Sequence, residues 1–330
     1  MKSPFTGGTV SLHTENMEIT FRKENFTVVS QYYKCNDTGE EFTTKEQDGL
    51  AINQVYNQYR EKYGIPFVED INEILNKYGI SAAKMSKILG FGDNQYLKYT
   101  KGEIPSVSNG RMIALIQDVS EFKKLLINAQ NEFTPDELLK INKKIAPLQD
   151  DNTTFIEQLI VSMAFTFNNK SIYTGYVQPQ IKKVKNIILF FANNCDGVFE
   201  TKLNKLLFYS DFLSFKERGI GLSGLSYKAI AFGPVPQRYS TVYDNVGGTD
   251  AEIITFPNGN AGKKIIGKEQ FDPRLFSEDE ISVLNRVYER FKECKAGEIS
   301  TISHKEDAWI ENNQTMSLIK YNYGFKLKAL

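Results

Sequence analysis

This chain of 330 residues has three cysteines, two histidines and one tryptophan, and no excess of either charge. Cys35, Cys195 and Cys294 lie far apart with no paired spacing, which argues against a disulfide framework. With His13 and His304 as the whole histidine supply, no usual zinc-ligand set can be assembled from side chains close in sequence. Forty basic residues balance forty acidic ones, so no global positive field gathers nucleic acid, and DNA binding would need a local patch. The longest apolar runs, such as Ile187-Ile188-Leu189-Phe190-Phe191-Ala192, are far too short to span a bilayer. The start of the chain lacks the apolar segment of a signal peptide, so a cytoplasmic protein without a membrane partner is expected. Gly247-Gly248-Thr249 lacks the trailing Lys-Ser/Thr of a phosphate-binding loop.

What is present reads as an α+β chain, mainly α, in five segments. Residues 1–47 alternate apolar and polar positions (Met17, Ile19, Phe21, then Phe26 and Val28) around a Lys23-Glu24-Asn25 turn, as a small β-rich module does. Residues 48–65 form a connecting helix ended by Gly64 and Pro66. Residues 66–130 form a helical unit: a helix from Val68 stopped by Gly79, a second capped by Ser81, a Gly90-Phe91-Gly92 turn, a third capped by Asp93, and a fourth over Arg111–Ala129. Residues 131–176 connect, with helical pieces at Thr134–Ile145 and Phe155–Phe167. Residues 177–330 form the largest unit, helical with a small antiparallel sheet. It holds helices at Val184–Asn193 and Thr201–Lys216, a strand at Tyr227–Phe232 stopped by a Gly233-Pro234-Val235-Pro236 corner, a hairpin around Asn258-Gly259-Asn260, and a capping-box helix from Ser277 to about Lys295.

The Tyr78–Ser106 stretch carries Gly90, Phe91, Gly92, Asn94, Tyr96 and Tyr99, then Gly102, Glu103, Pro105 and Ser106. In this it resembles the helix-turn-helix half of MqsA- or YgiT-type antitoxins. Those antitoxins open with a zinc ribbon of two Cys-x-x-Cys pairs. Here the frame reads Ser3-Pro4-Phe5-Thr6 and Cys35-Asn36-Asp37-Thr38, so one of four thiolates remains and no zinc is expected. Asn94, Gln95, Lys98 and Lys101 are the candidate DNA contacts, while Tyr96 and Tyr99 suit the core. Eight Lys or Arg against seven Asp or Glu in residues 66–130 leave only +1, and Leu97 and Thr100 replace the Arg and Glu usual in that family. A dimerisation module with a solvated helix face therefore stands beside operator binding.

Three separated motifs follow in order: Lys202-Leu203-Asn204-Lys205-Leu206-Leu207-Phe208-Tyr209-Ser210-Asp211, then Phe232-Gly233-Pro234-Val235-Pro236 with Tyr239, then Ser303-His304-Lys305-Glu306-Asp307-Ala308-Trp309. Over residues 180–315 the chain is similar to the Panacea, or SocA-like, antitoxin domain. The resemblance implies an antitoxin that neutralises a cognate protein toxin by direct binding, in a prophage or bacterial operon, with the helix-turn-helix dimerising the chain and repressing the operon. A proteolytic adaptor or phage regulator is the alternative. Lys205 and Asp211 would be a polar rim, Tyr209, Phe212 and Phe215 anchors, and Tyr239, His304 and Trp309 further toxin contacts. The plainer reading makes Lys205 and Asp211 a salt-bridged helix surface, the Gly-Pro-Val-Pro segment a rigid corner, His304 part of a loop network and Trp309 an apolar anchor. No acid–base or nucleophile constellation assembles, so no enzyme and no cofactor are expected.

Overall fold

The computed structural model describes residues 1–149, 165, 169–257 and 259–330; the helical piece expected at Phe155–Phe167 lies, apart from Phe165, outside the described residues. Among them the fold is α+β and mainly helical, with three small antiparallel sheets. The chain divides into two compact units, Met1–Gln54 with Ile156–Leu330, and Val55–Phe155.

In the first unit, the longest strands among the described residues, Val10–Phe21 and Glu24–Cys35, are joined by Arg22 and Lys23, both in left-handed backbone geometry at φ 50° and 70°. The turn therefore falls on Arg22-Lys23, ahead of the Lys23-Glu24-Asn25 expected from composition, because two consecutive positive φ values make a tight turn whose twist matches the strands. Phe26, Val28 and Val29 are buried on the second strand, and the Gln54 side chain from the helix Lys45–Tyr63 closes both polar groups of Val29, at 2.9 and 2.8 Å.

The Glu200–Arg218 helix is the axis of this unit. Every residue from Leu203 to Phe215 is buried, so it has no solvated face and no helical stripe in sequence. Gly219 ends it in the left-handed conformation. Asp211, fully enclosed, accepts hydrogen bonds from the backbone N–H of Leu222 and Ser223 (2.7 Å each), the Tyr227 hydroxyl (2.5 Å) and the Ser223 hydroxyl. Burial still raises its pKa, against the pull of those four donors. Helices Ile181–Asn194 and Glu278–Phe291 flank this axis; the second starts on the expected Ser277–Glu280 capping box but stops at Phe291, before Lys295. The hairpin of Thr249–Thr255 and Ala261–Gly267 pairs with Val198–Phe199.

Gly233-Pro234-Val235-Pro236 is a strand, not a corner. Tyr227–Ile230 ends two residues before the expected Phe232, and after a two-residue turn at Ala231-Phe232 the chain returns antiparallel, Tyr227 opposite Pro236 and Ile230 opposite Gly233. Leu318–Ile319 takes the other edge of Tyr227–Ile230, leaving the proline strand outermost, where a missing N–H breaks no ladder.

The second unit packs Val68–Tyr78, Ala82–Ile88, Gln95–Thr100, Val107–Leu115, Val119–Asn128 and Pro135–Ile145 around one core that includes Ile71, Tyr78, Met85, Tyr96, Ile113 and Phe122. Tyr78 stacks on Phe122 at 3.8 Å and donates to the Ile116 carbonyl at 2.6 Å. The single helix expected over Arg111–Ala129 is two, because Asp118 caps a new start by accepting from the N–H of Ser120 and Glu121. Among the described residues no helix is long and apolar enough to cross a membrane.

Candidate functional site

The three C-terminal motifs meet at one hairpin: the second forms it, and the first and third contribute side chains that donate to it. Lys205, fully buried, donates from Nζ to the Pro234 carbonyl at 3.0 Å. The Trp309 indole N–H reaches the Ile230 carbonyl at 2.7 Å. The His304 ring bonds to the Phe232 backbone and stacks on Trp309 with centroids 4.1 Å apart. Carbonyls 230, 232 and 234 of the hairpin are thus held by the third, third and first motifs, while the second supplies the hairpin itself. Gly233 is required by the same arrangement: its φ is +101°, and a Cβ there would come within 2.6 Å of Lys205 Cε and of Ser303 Oγ.

No carboxylate among the described residues pairs with Lys205, and burial alone lowers its amine to about 7. Burial also lowers the His304 pKa, the Lys205 charge adds to the effect, and the bond to the Phe232 backbone opposes it. His304 Nε2 and Ser300 Oγ are buried without a hydrogen-bond partner among the described residues. Glu306 closes the far side: it is buried, its pKa raised by that burial, and it accepts from the Tyr209 hydroxyl at 3.3 Å and from the backbone of Lys328 and Ala329 at 2.8 and 3.0 Å.

This arrangement places the sequence-selected residues differently from their expected roles. Lys205 and Asp211 are neither a rim nor a surface salt bridge, since both are enclosed and each has its own partners. Tyr209, Phe212 and Phe215 are core, packed on Phe291, Tyr321 and Phe325, and in this conformation offer a partner no surface. The reason is the uniform burial of their helix, which a periodicity reading takes for a faced helix. Tyr239, His304 and Trp309 are partly accessible. The residue missed is Phe232: at the hairpin turn it is 72 % exposed, held by the three donors beneath it. Its signal was an aromatic side chain directly before Gly-Pro in a motif otherwise apolar and small.

In the helical unit, Asn94, Lys98 and Lys101 are exposed, and Tyr96 and Tyr99 are core. Asn94, not Asp93, precedes the third helix, which runs only Gln95–Thr100; its backbone is left-handed at φ 57° and its side chain caps nothing. The Gln95 amide is engaged by Glu103 at 2.9 Å.

The ribbon frame also converges. Hydrogen bonds from Ser3, Thr38 and Thr6, in that order of strength, lower the pKa of the Cys35 thiol to about 6, and Thr6 Oγ1 lies 3.5 Å from Cys35 Sγ. The four positions that would ligate zinc thus sit together, but three are neutral hydroxyls, and this donor set does not fit the ion. Among the described residues no three His, Cys, Asp or Glu gather as a metal site. Cys195 and Cys294 line a cavity of 770 Å³ whose walls do not include His304, so the chain's cysteines and this histidine are not assembled there as a nucleophile pair.

The geometry is that of a scaffold that fixes a hairpin and exposes one aromatic side chain at its turn. Residues 203–310, the span from the start of the buried helix past Trp309, match the family model of the SocA-like antitoxin Panacea domain. No curated protein and no solved structure matches the chain significantly.

Proposed function

We propose that this chain is the antitoxin of a toxin–antitoxin pair, and that its Panacea-like unit neutralises a protein toxin by stoichiometric binding that covers the toxin's working surface. The observation that carries this is the convergence of the three motifs on one hairpin, within the residues matched to an antitoxin family. A binding surface gains affinity when its anchor is already ordered, and the turn that carries Phe232 is held by three side chains from two distant stretches of chain. The helix-turn-helix unit, in the same proposal, dimerises the protein and represses its own operon through Asn94, Lys98 and Lys101, with Gln95 held back by Glu103. In the same proposal, the N-terminal module stands in for a zinc ribbon without the metal, supported by packing and by the hydroxyls around Cys35.

The test is co-expression with the product of the adjacent gene. Restored growth and a stable complex of the two proteins are expected; continued toxicity with no complex overturns the proposal. Loss of the companion protein only when a cellular protease is present would instead favour an adaptor.

A further inference from the structure

The strand Val10–Phe21 leaves one whole edge of its sheet unpaired. The sheet runs in the order Val10–Phe21, Glu24–Cys35, Glu41–Phe42, so Val10–Phe21 is outermost. Its pairing is one to one from Val10 opposite Cys35 to Phe21 opposite Glu24, with no bulge. The phase of that ladder is fixed at both ends. A two-residue turn with both φ values positive closes on a hydrogen-bonded pair, here Phe21 with Glu24. One position before the strand, the Asn36 N–H donates to the Thr9 carbonyl at 3.1 Å. Odd-numbered residues therefore bond inward, and the backbone N–H and C=O of Val10, Leu12, Thr14, Asn16, Glu18 and Thr20 point away from the sheet. None of these backbone groups has a partner among the described residues.

Such an edge is a template for another strand, and proteins ordinarily blunt it. The Gly233–Pro236 edge is short and carries two prolines. Val10–Phe21 has 12 residues and no proline, lysine or bulge. Leu12 and Met17 lie on opposite faces at 48 and 40 % exposure, and every residue from Leu12 to Glu18 is exposed, so neither face is covered there.

The charge pattern selects the occupant. When two such edges pair antiparallel, outward-bonding residues face outward-bonding ones, so a two-fold axis passes through a residue that faces its own copy. An axis at Glu15 sets like charges opposite each other, and an axis at Asn16 leaves Glu15 against Met17 with no charge paired. An axis at Thr14 sets Glu15 opposite the second copy's His13, twice, with Thr14 against Thr14 at the centre. Neither the Glu15 carboxylate nor Nδ1 of His13 has a partner among the described residues. The His13 ring is already placed, by Ser11 Oγ at 3.0 Å from Nε2 and by stacking on Tyr32. The strand is its own charge complement in that register.

We infer that Val10–Phe21 pairs antiparallel with the same strand of a second copy about a two-fold axis at Thr14, joining two three-stranded sheets into one. The pairing is isologous, so it uses up both edges and stops at two copies. It rests on the strand alone, apart from the antitoxin reading and from dimerisation by the helix-turn-helix unit.

Sedimentation equilibrium of the full-length chain tests it. Thr14→Pro deletes an outward N–H without removing a bond to Glu24–Cys35, as edge prolines do. His13→Glu sets like charges opposite one another, and circular dichroism checks that each variant is folded. Each should raise the dissociation constant about tenfold or more, since every cross-strand contact occurs twice. Combining His13→Glu with Glu15→His restores the facing pairs with their members exchanged, and should return the constant to within about threefold of wild type. If the helix-turn-helix unit also dimerises the chain, the single variants take a tetramer to a dimer. A wild-type monomer at every concentration, a mass indifferent to Thr14→Pro, or a double variant no better than His13→Glu alone each overturns the inference. So does a monomer whose Thr14→Pro form loses capture of the adjacent gene product, because the edge then holds a foreign strand. The antitoxin reading stands or falls separately, on co-expression with that product.

Discussion

Lys205 reaches the Pro234 carbonyl at 3.0 Å only because the residue before that proline is Gly233, whose missing side chain leaves the space the lysine occupies. The pair explains why a charged residue lies in an otherwise apolar helix interior. The proline strand is an outer edge, and its carbonyl at 234 points into the protein with no strand beyond it. A buried carbonyl left without a donor costs about 1–3 kcal/mol, and the long lysine side chain supplies one across that distance.

The same burial has a cost that depends on pH. The Lys205 amine lies near 7 when folded and near 10.5 when exposed, so the unfolded chain binds the proton more tightly between those values. Stability therefore rises as pH goes from about 7 to about 10, by at most ~5 kcal/mol from this group, and no further slope from it remains below 7. Lys205→Met removes that slope while filling most of the volume. Urea unfolding of both proteins from pH 6 to pH 10 should show the difference, wild type minus variant, growing with pH. Parallel curves would show that the lysine is not held neutral.

Phe232 and Phe212 separate binding from folding. Phe212 is wholly enclosed and stacks on Tyr321 at 4.7 Å, so Phe212→Ala should cost about 3–5 kcal/mol of stability. Phe232 is 72 % exposed, so Phe232→Ala should change stability by less than about 0.5 kcal/mol. If it is the interface anchor, the same change should weaken capture of the co-expressed partner by ~30-fold, about 2 kcal/mol. Unaltered capture would move the interface away from the hairpin.

Some helix ends were legible in the sequence because their chemistry is local: Ser81 and Ser277 cap where their side chains reach the next turn, and Gly79 and Gly219 end helices by taking positive φ, whereas the ends at Asn94, Asp118 and Phe291 were not. The three motifs were legible as motifs. Their meaning was not, because it depends on contacts 29 and 79 positions apart, from Lys205 to Pro234 and from Ile230 to Trp309. Aromatic residues on the central helix looked like anchors for a partner, since a chain read alone does not reveal that both sides of a helix are covered. The proline strand looked like a corner because prolines ordinarily stop strands, and only the outermost position tolerates two of them.

Cys35 tests the ribbon frame. Its thiol should titrate near pH 6, read as thiolate absorbance at 240 nm that is absent in Cys35→Ser. Ser3→Ala removes the strongest of the three hydrogen bonds and should move the midpoint up, because the charged form loses a donor. Purified protein should contain well under one equivalent of zinc, and a chelator should leave its melting temperature in place. A full equivalent, or a melting point that falls on chelation, would show that hydroxyls and one thiolate suffice.

The DNA reading turns on which polar side chains of the Gln95–Thr100 region are free to act. Lys98 and Lys101 are exposed, so if they contact phosphates each should contribute about 0.9 to the slope of log affinity against log salt. Lys98→Ala with Lys101→Ala should then lower that slope by about 2 and weaken mobility shifts on the upstream sequence of the gene. Asn94→Ala should reduce discrimination between operator and mutated operator more than overall affinity, since an amide at a base edge carries sequence information. Gln95→Ala should do little, its amide being tied to Glu103. Tight binding indifferent to both lysines would place the DNA contacts elsewhere, and no binding at any salt would leave this unit as the dimerisation module that its near-neutral charge also fits.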